Sequence, residues 1–110
     1  MPNYSANEVV LIRYPFTESL ESKIRPAIVI SAPHISKDII IVPLTSKTGD
    51  LLPGEFVIEE WKSAGLNVIT AVKRGIYTVH EKLVIKKVGS LSKKDAATLR
   101  TSLSSWIKMS

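Results

Sequence analysis

Two hydroxyl side chains, Thr45 and Ser46, follow one apolar run of this sequence, and an arginine, Arg25, precedes another. A guanidinium is a planar, permanently charged fork of donors, so together with two hydroxyls and the neighbouring Lys47 it suits a phosphate. An exposed arginine at the end of a strand is also common without any such role. From residue types alone, a phosphate site and an inert surface charge both stay open.

The elements around Arg25 decide whether these groups meet. Pro26 restricts Arg25 to extended geometry and marks the beginning of a strand over 26–31. Six residues connect that run to the next, 38–44, and so short a connection predicts antiparallel neighbours. If the residues that flank the connection face each other, Arg25 lies opposite about Leu44 and beside the two hydroxyls.

Short apolar runs rich in valine and isoleucine, separated by proline, glycine and serine, predict a compact barrel or a strongly bent sheet. They span 8–14, 26–31, 38–44, 55–58, 68–72, 76–79 and 83–88. Residues 59–64 have the pattern of a short helix that Gly65 ends.

The last segment has the pattern of an amphipathic helix. Ser92 and Asp95 have the spacing of a capping box. An apolar stripe then follows at helical spacing. It comprises Ala96, Leu99, Leu103, Trp106 and Ile107. We expect this helix to pack on the barrel, with Trp106 in the core rather than in a binding site.

Length and charge indicate one domain over residues 1–110 with an attraction to polyanions. The 110 residues are 45% apolar and 23% charged, which excludes a disordered chain. The net charge of +5 comes from 15 Lys and Arg against 10 Asp and Glu. Counterion release favours a nucleic-acid partner for such a protein, although a modest excess of lysine also serves solubility alone.

The sequence gives no support for a membrane protein, a secreted protein or a protein with a structural metal. No uninterrupted apolar run is longer than the one at 39–42, which is far shorter than the roughly 20 residues that cross a bilayer. The first residues lack the pattern of a signal peptide. There is no cysteine, and the two histidines stand apart. We therefore expect a cytoplasmic protein without a membrane anchor or a structural metal.

Six pieces of the sequence, in order, resemble the MazF/PemK toxin family. KIRPAIVIS at 23–31 is similar to the family's "RPALVIS" strand, and VPLTSK at 42–47 is similar to its "VPITS" segment. The other four pieces resemble the opening strand with its "FPFT" turn, two middle segments and the "KLGRLS" approach to the last helix. They are 9–17, 52–55, 61–66 and 87–92. One departure is Asn7-Glu8 in place of Gly-Asp, which we interpret as tolerated.

The resemblance implies an SH3-like β-barrel of the MazF/PemK type with a short middle helix and a C-terminal helix. It also implies a homodimer that cleaves single-stranded RNA sequence-selectively, without a cofactor, and is inhibited by a cognate antitoxin. The resemblance points to Arg25 and Thr45 as the catalytic pair, with Ser46 a neighbour worth testing. We expect the antitoxin to cover Arg25 with an acidic, disordered tail.

Metal-free cleavage uses the ribose 2′-hydroxyl as the nucleophile, and it needs a base, a proton donor and positive charge at the phosphate. We expect Arg25 to stabilise charge and Thr45 to donate its hydroxyl hydrogen. Candidates for the base, each of which is also explained as a solvated residue, are Glu18, Glu21, His34 and His80. Candidates for substrate contact are Phe16, Thr17, Ser46, Lys47, Lys73 and Arg74.

Several alternatives stay open at this point. Phe16 stacks on a base or plugs the core, and Lys73 and Arg74 contact RNA or form a solvated basic turn. A barrel that binds nucleic acid without cutting it has the same composition and strand pattern. A degenerate homologue of the toxins that survives as a dimeric interaction protein is the third alternative.

Overall fold

The computed structural model describes residues 4–14 and 23–109. Phe16, Thr17, Glu18 and Glu21 lie outside these residues. Within the described residues, seven strands, one 3₁₀ turn and one α-helix follow one another. They are β1 (Glu8–Tyr14), β2 (Lys23–Val29), β3 (Asp38–Thr45), β4 (Phe56–Val57), β5 (Ala71–Val72), β6 (Tyr77–His80), the 3₁₀ turn (Glu81–Leu83), β7 (Val84–Ser90) and α1 (Lys93–Trp106).

The strands form one antiparallel sheet in the order β4-β5-β3-β2-β1-β7, and β6 also pairs with β3. The pairing of β1 with β7 shifts register twice, as β-bulges do, and bulges bend a sheet. The predicted mainly-β fold with a C-terminal helix is confirmed.

The three central strands bury both faces of the sheet, which explains their nearly continuous apolar runs. On one face, β1 to β3 pack under α1 and the segment that follows β4. This first core comprises Val9, Ile28, Val42, Leu44, Ile58, Ala64, Val72, Leu91 and Leu99. The second core, on the other face, comprises Val10, Ile12, Ala27, Val29, Ile39, Ile41 and Val79.

The pairing of β2 with β3 is the element that positions the predicted phosphate site. The ladder pairs Ala27 with Pro43. Continuing it by two residues places Arg25 opposite Thr45. The predicted partner, Leu44, is therefore off by one residue, and the juxtaposition of Arg25 with the hydroxyls is closer than the spacing indicated.

The connection between β2 and β3 explains the one-residue difference. The Ile30 N–H donates to the Ile40 carbonyl oxygen over 2.9 Å. The Ile40 N–H donates in turn to the Ser31 hydroxyl oxygen over 2.9 Å. A side chain rather than the backbone thus completes the ladder, and Ser31 does not pair with Asp38.

Residues 59–65 form a hydrogen-bonded turn rather than the helix that the sequence predicted. The Leu66 N–H donates to the Trp61 carbonyl and the Gly65 N–H to the Lys62 carbonyl, both over 3.1 Å. Gly65 has φ +87°, so this is a Schellman motif with Gly65 in the left-handed region. The predicted end of the segment at Gly65 is confirmed. Because Gly65 comes only six residues after Glu59, the segment has no room for a further turn of helix.

Asn7 explains why the departure from the Gly-Asp pattern is tolerated. Its φ is +74°, a left-handed conformation that glycine adopts freely and asparagine adopts more readily than most residues. Its N–H donates to the Val29 carbonyl over 2.7 Å, and its carbonyl accepts the Leu91 N–H over 2.8 Å. These bonds tie β1 to β2 and to the beginning of α1.

The C-terminal helix is present as predicted, with Ser92 as its N-cap accepting the Asp95 N–H over 3.1 Å. Leu99 is buried, and Trp106 packs against the first core while its indole N–H donates to the Pro53 carbonyl over 3.2 Å. Ile107, predicted on the apolar stripe, is 50% exposed because the helix ends at the preceding residue.

Asp95 joins α1 to the middle turn. Its carboxylate is 1% exposed, and its two oxygens accept the N–H groups of Glu59 and Glu60, each over 3.0 Å. A buried carboxylate is tolerated only when it is hydrogen-bonded in this way. Asp95 therefore helps to hold the turn that leads into the loop at 65–68.

We expect Asp95→Asn to lower the free energy of unfolding by about 2–3 kcal/mol, because an amide oxygen can accept only one of the two N–H bonds and leaves the other, partly buried donor without its partner. Denaturant unfolding measures this loss. Asp50→Asn is the matched control, because Asp50 is exposed and asparagine tolerates its φ of +55°. An Asp95→Asn protein as stable as this control would contradict the structural role of Asp95.

Candidate active site

Arg25, Thr45 and Ser46 line one cavity of about 540 Å³. It lies between the beginning of β2, the end of β3, the loop at 65–68 and β7. The antiparallel pairing of β2 with β3 brings the arginine and the hydroxyls together at one end of the sheet. The structure thus assembles the three residues that the sequence singled out first.

Thr45 is held by a local hydrogen bond at the end of β3. Its Oγ1 accepts the Lys47 N–H over 3.1 Å and the residue is half-buried. Because this bond uses a lone pair, the hydroxyl hydrogen stays available for donation to another oxygen. Lys47 is exposed and fixes Thr45 through its backbone.

Positive charge dominates the cavity lining. Arg25, Lys86 and Lys87 all contribute to it, and among the residues that the structure describes no carboxylate does. Sequence reasoning missed the two lysines. Two adjacent lysines within an otherwise apolar strand were the available signal, because lysine side chains are seldom buried and so face solvent or a ligand.

Glu8 engages one of these cations. Its Oε2 lies 2.8 Å from the Lys87 Nζ. Partial burial raises the pKa of Glu8, but the hydrogen bond from Lys87, the Ser5 N–H and the charge of Lys87 outweigh it, so the pKa lies below its ordinary value. Lys87 is thereby partly neutralised, whereas Arg25 and Lys86 dominate the charge of the cavity.

The loop at 65–68 forms the opposite wall, and sequence reasoning did not anticipate it. Leu66, Asn67 and Val68 line the cavity with an amide between two apolar side chains. The backbones of Gly65 and Gly89 pass so close to their neighbours that an added Cβ on either would clash with a main-chain carbonyl. Two glycines therefore allow this loop to lie directly against β7.

The two histidines lie far from Arg25 and Thr45. His80 pairs with Asp38 at the beginning of β3, and Thr45 ends the same strand. Seven residues of strand separate these points, or about 23 Å. His34 lies in the loop before β3, with Nδ1 2.7 Å from the Ser36 hydroxyl oxygen. The structure does not bring either histidine to the cavity.

Lys73 and Arg74 directly follow β5, beside β3, and do not line the cavity. The Lys73 N–H donates to the Pro43 carbonyl over 3.0 Å, and the Arg74 N–H donates to Glu55 Oε2 over 2.9 Å. The N–H groups of Arg74 and Leu52, with the charges of Lys73 and Arg74, lower the pKa of Glu55. Both cations stay exposed, and their contact with RNA stays a prediction.

Within residues 4–14 and 23–109, no group of three or more acidic or histidine side chains is placed to hold a metal ion. No helix in this part of the chain is long and apolar enough to span a membrane.

Solved structures with the same fold are numerous. The crystal structure of MazF (form I) from Deinococcus radiodurans superimposes with a TM-score of 0.78 at 17% identity, covering 99% of this chain and 100% of that one. An endoribonuclease in complex with its cognate antitoxin from a mycobacterial species gives 0.73 at 16% identity, covering 96% and 93%. The Mycobacterium tuberculosis toxin MazF-mt6 gives 0.72 at 16% identity, covering 89% and 93%. At such identities these likenesses show the fold.

A search of curated protein sequences gave no significant match. A family model does match, and it extends over residues 5–107, from the turn before β1 to the end of α1. This span contains both strands that hold Arg25 and Thr45. The chain therefore belongs to the PemK-like, MazF-like toxins of type II toxin–antitoxin systems.

Proposed function

We propose that this protein is a toxin that cleaves single-stranded RNA internally and sequence-selectively, without a metal ion. The observation that supports this most is the common cavity of Arg25, Thr45 and Ser46, with its positive lining. RNA offers such a cavity a chain of phosphates, and each phosphate neutralised by a cation releases counterions. Family membership supports the toxin role.

The proposed reaction is an internal transfer at phosphorus. The ribose 2′-oxygen loses its proton to a base and bonds to the adjoining phosphorus, and the bond from phosphorus to the 5′-oxygen breaks. The leaving oxygen takes a proton. The products end in a 2′,3′-cyclic phosphate (or its opened form) and a 5′-hydroxyl.

Arg25 supplies the charge that this step requires. The pentacoordinate intermediate carries extra negative charge on its equatorial oxygens, and a guanidinium can donate two parallel hydrogen bonds to them. Proton donation by Arg25 is unfavourable, because the pKa of an arginine side chain is above about 12. Its role is therefore electrostatic.

Thr45 acts as a hydrogen-bond donor to a phosphate oxygen. Its lone pair is engaged by the Lys47 N–H, which orients the hydroxyl and leaves its hydrogen available. A nucleophilic role is disfavoured, since no base contacts Thr45 among the described residues. Ser46 offers a second hydroxyl on the same wall.

The base is proposed to come from the segment that precedes β2, where Glu18 and Glu21 stand, rather than from the remote histidines. Phe16 and Thr17 belong to the same segment and are proposed as substrate contacts, with Lys47. Asn67 is a candidate for selectivity, since an amide both donates to and accepts from the edge of a base.

The most direct test of function is incubation of the purified protein with single-stranded RNA in excess EDTA. We expect cleavage to persist, because the proposed step uses no Lewis acid, and the fragments to carry 5′-hydroxyl ends. Binding without cleavage, with or without added Mg²⁺, would favour the non-catalytic barrel. If the protein neither binds nor cleaves RNA, the result would favour a degenerate toxin homologue. Cleavage only with added Mg²⁺ would contradict metal independence.

We also propose a C2 homodimer, with the RNA along or across the interface between subunits. One chain of 110 residues offers little length for an extended groove by itself. A two-fold assembly doubles that length and presents two symmetric sites.

The inhibitor is proposed to be a cognate antitoxin whose acidic, disordered tail covers Arg25 and the segment after Phe16. A positive cavity that accepts RNA also accepts an acidic peptide, and salt weakens such binding. Two of the structural neighbours support this: the mycobacterial endoribonuclease in complex with its cognate antitoxin, and MazE–MazF from D. radiodurans at a TM-score of 0.75 and 18% identity. Both partners are proposed to act in the cytoplasm.

A further inference from the structure

We propose that Lys86 binds a second phosphate of the RNA strand, on the opposite side of the cavity from Arg25. This inference rests on the proposed function, in that RNA is the ligand. It assigns the substrate's path across the sheet, from β3 over β2 and β1 to β7. The strand registers, the charges and the apolar floor of the cavity each support it.

The floor of the cavity is a row of residues on one face of four neighbouring strands. Leu11 pairs with Pro26 on one side and with Lys86 on the other. Continuing the β2–β3 ladder by one residue adds Leu44 beyond Pro26. All four residues line the cavity. Directly paired residues share a face of the sheet, so Lys86 ends this row on the same side as Leu11.

The row sets the distance that the substrate would cross on the sheet. Lys86 lies two strands from Pro26, which is about 10 Å between backbones. Arg25 pairs with Ile12 and so lies on the other face of β2 from Pro26, and it lines the cavity at the beginning of that strand. The long side chains of arginine and lysine adjust this gap, so the two groups can contact two phosphates of one strand. Between them, Leu11 and Pro26 offer an apolar surface to the nucleoside that joins those phosphates.

Lys86 differs from its neighbour in the charge it has available. Lys87 is paired with Glu8 at 2.8 Å. Lys86 is exposed, and it makes no ion pair with any residue in 4–14 or 23–109. The Lys86 ammonium, which has no carboxylate partner among these residues, is therefore available to bind a phosphate at the end of the apolar floor. Such a group contributes as a point charge, without a fixed direction of hydrogen bonding.

The salt dependence of binding tests this inference. The probe is a 2′-O-methyl oligoribonucleotide of mixed sequence, which cannot be cleaved because its 2′-oxygens are blocked. For a single strand, log K falls linearly with log salt, and loss of one phosphate contact makes this negative slope shallower by about 0.7. Between 50 and 200 mM salt, the affinity of Lys86→Gln should therefore fall about 2.6-fold less than that of the wild type. Lys86→Arg should keep the wild-type slope.

Lys82→Gln is the matched control, because Lys82 is an exposed lysine in the 3₁₀ turn and does not line the cavity. It should keep the wild-type slope. Against cleavable RNA, Lys86→Gln should raise KM with little change in kcat, since a contact to a non-reacting phosphate stabilises substrate and transition state alike.

An unchanged slope in Lys86→Gln, or an equal reduction in Lys82→Gln, would overturn the proposal, since the effect would then be absent or would reflect net charge alone. These outcomes are separate from a failure of the proposed function. A protein that binds the probe but never cleaves RNA contradicts the nuclease and leaves the phosphate contact measurable. A protein that cleaves RNA with an unchanged slope in Lys86→Gln contradicts the contact only.

Discussion

Arg25→Ala should lower the rate of RNA cleavage by about 10²–10³-fold, the effect of removing one strong stabiliser of transition-state charge. The side chain is exposed at the beginning of β2, so its removal should leave folding intact. Single-turnover cleavage at saturating enzyme measures the loss in the chemical step. Arg100→Ala, an exposed arginine on α1, is the control for a lost positive charge and should cleave at the wild-type rate.

Conservative variants sharpen the same prediction. Arg25→Lys should recover only part of the rate, because a point charge cannot reproduce a bidentate fork. Thr45→Ala should be damaged on a similar scale, whereas Thr45→Ser keeps the hydroxyl and most of the activity. Near wild-type cleavage by Arg25→Ala, with the protein folded, would exclude Arg25 from the chemistry.

The central strands of the sheet were predictable because they carry the strongest periodic signals. The sequence predicted the first strand at 8–14 with the bounds that the structure has, and the third at 38–44 against Asp38–Thr45. Their long runs of valine and isoleucine follow from burial on both faces. The middle turn was less predictable, because its hydrogen bonds and the φ of Gly65 depend on packing against β7 rather than on local sequence.

The juxtaposition of Arg25 with Thr45 and Ser46 was predictable from a proline and a short connection alone. Its register was off by one because the Ser31 side chain accepts a backbone hydrogen bond, and such closure cannot be derived from loop length. Lys86 and Asn67 were not predicted. Both reach the cavity through non-local contacts: Lys86 through its bulged pairing with β1, Asn67 through the approach of its loop to β7.

The contacts of buried polar residues were also not predictable from the sequence. Asp95 was predicted only as half of a capping box, and its bonds to Glu59 and Glu60 span more than thirty residues of sequence. No local pattern identifies such a pairing. The resemblance to the MazF/PemK family, by contrast, predicted the fold class and the family together, since it draws on six pieces in order.

The second large effect concerns the substrate rather than the protein. RNA with 2′-deoxyribose at the scissile position should resist cleavage, because the proposed nucleophile is the 2′-oxygen that this sugar lacks. Its phosphates, bases and remaining sugars are unchanged, so binding through Arg25 and the cavity lysines should persist. A loss of cleavage with binding retained separates the nucleophile from the contacts that hold the strand.

The central claim is that cleavage proceeds by attack of the 2′-hydroxyl within a site built from Arg25 and Thr45. The measurement that tests it most directly compares two oligonucleotides that differ only in the sugar at the mapped cleavage position, ribose or 2′-deoxyribose, in excess EDTA. The account predicts cleavage of the first to a cyclic phosphate and a 5′-hydroxyl, with the second left intact at that position though bound equally well. Efficient cleavage of the deoxyribose substrate at the same position would contradict it.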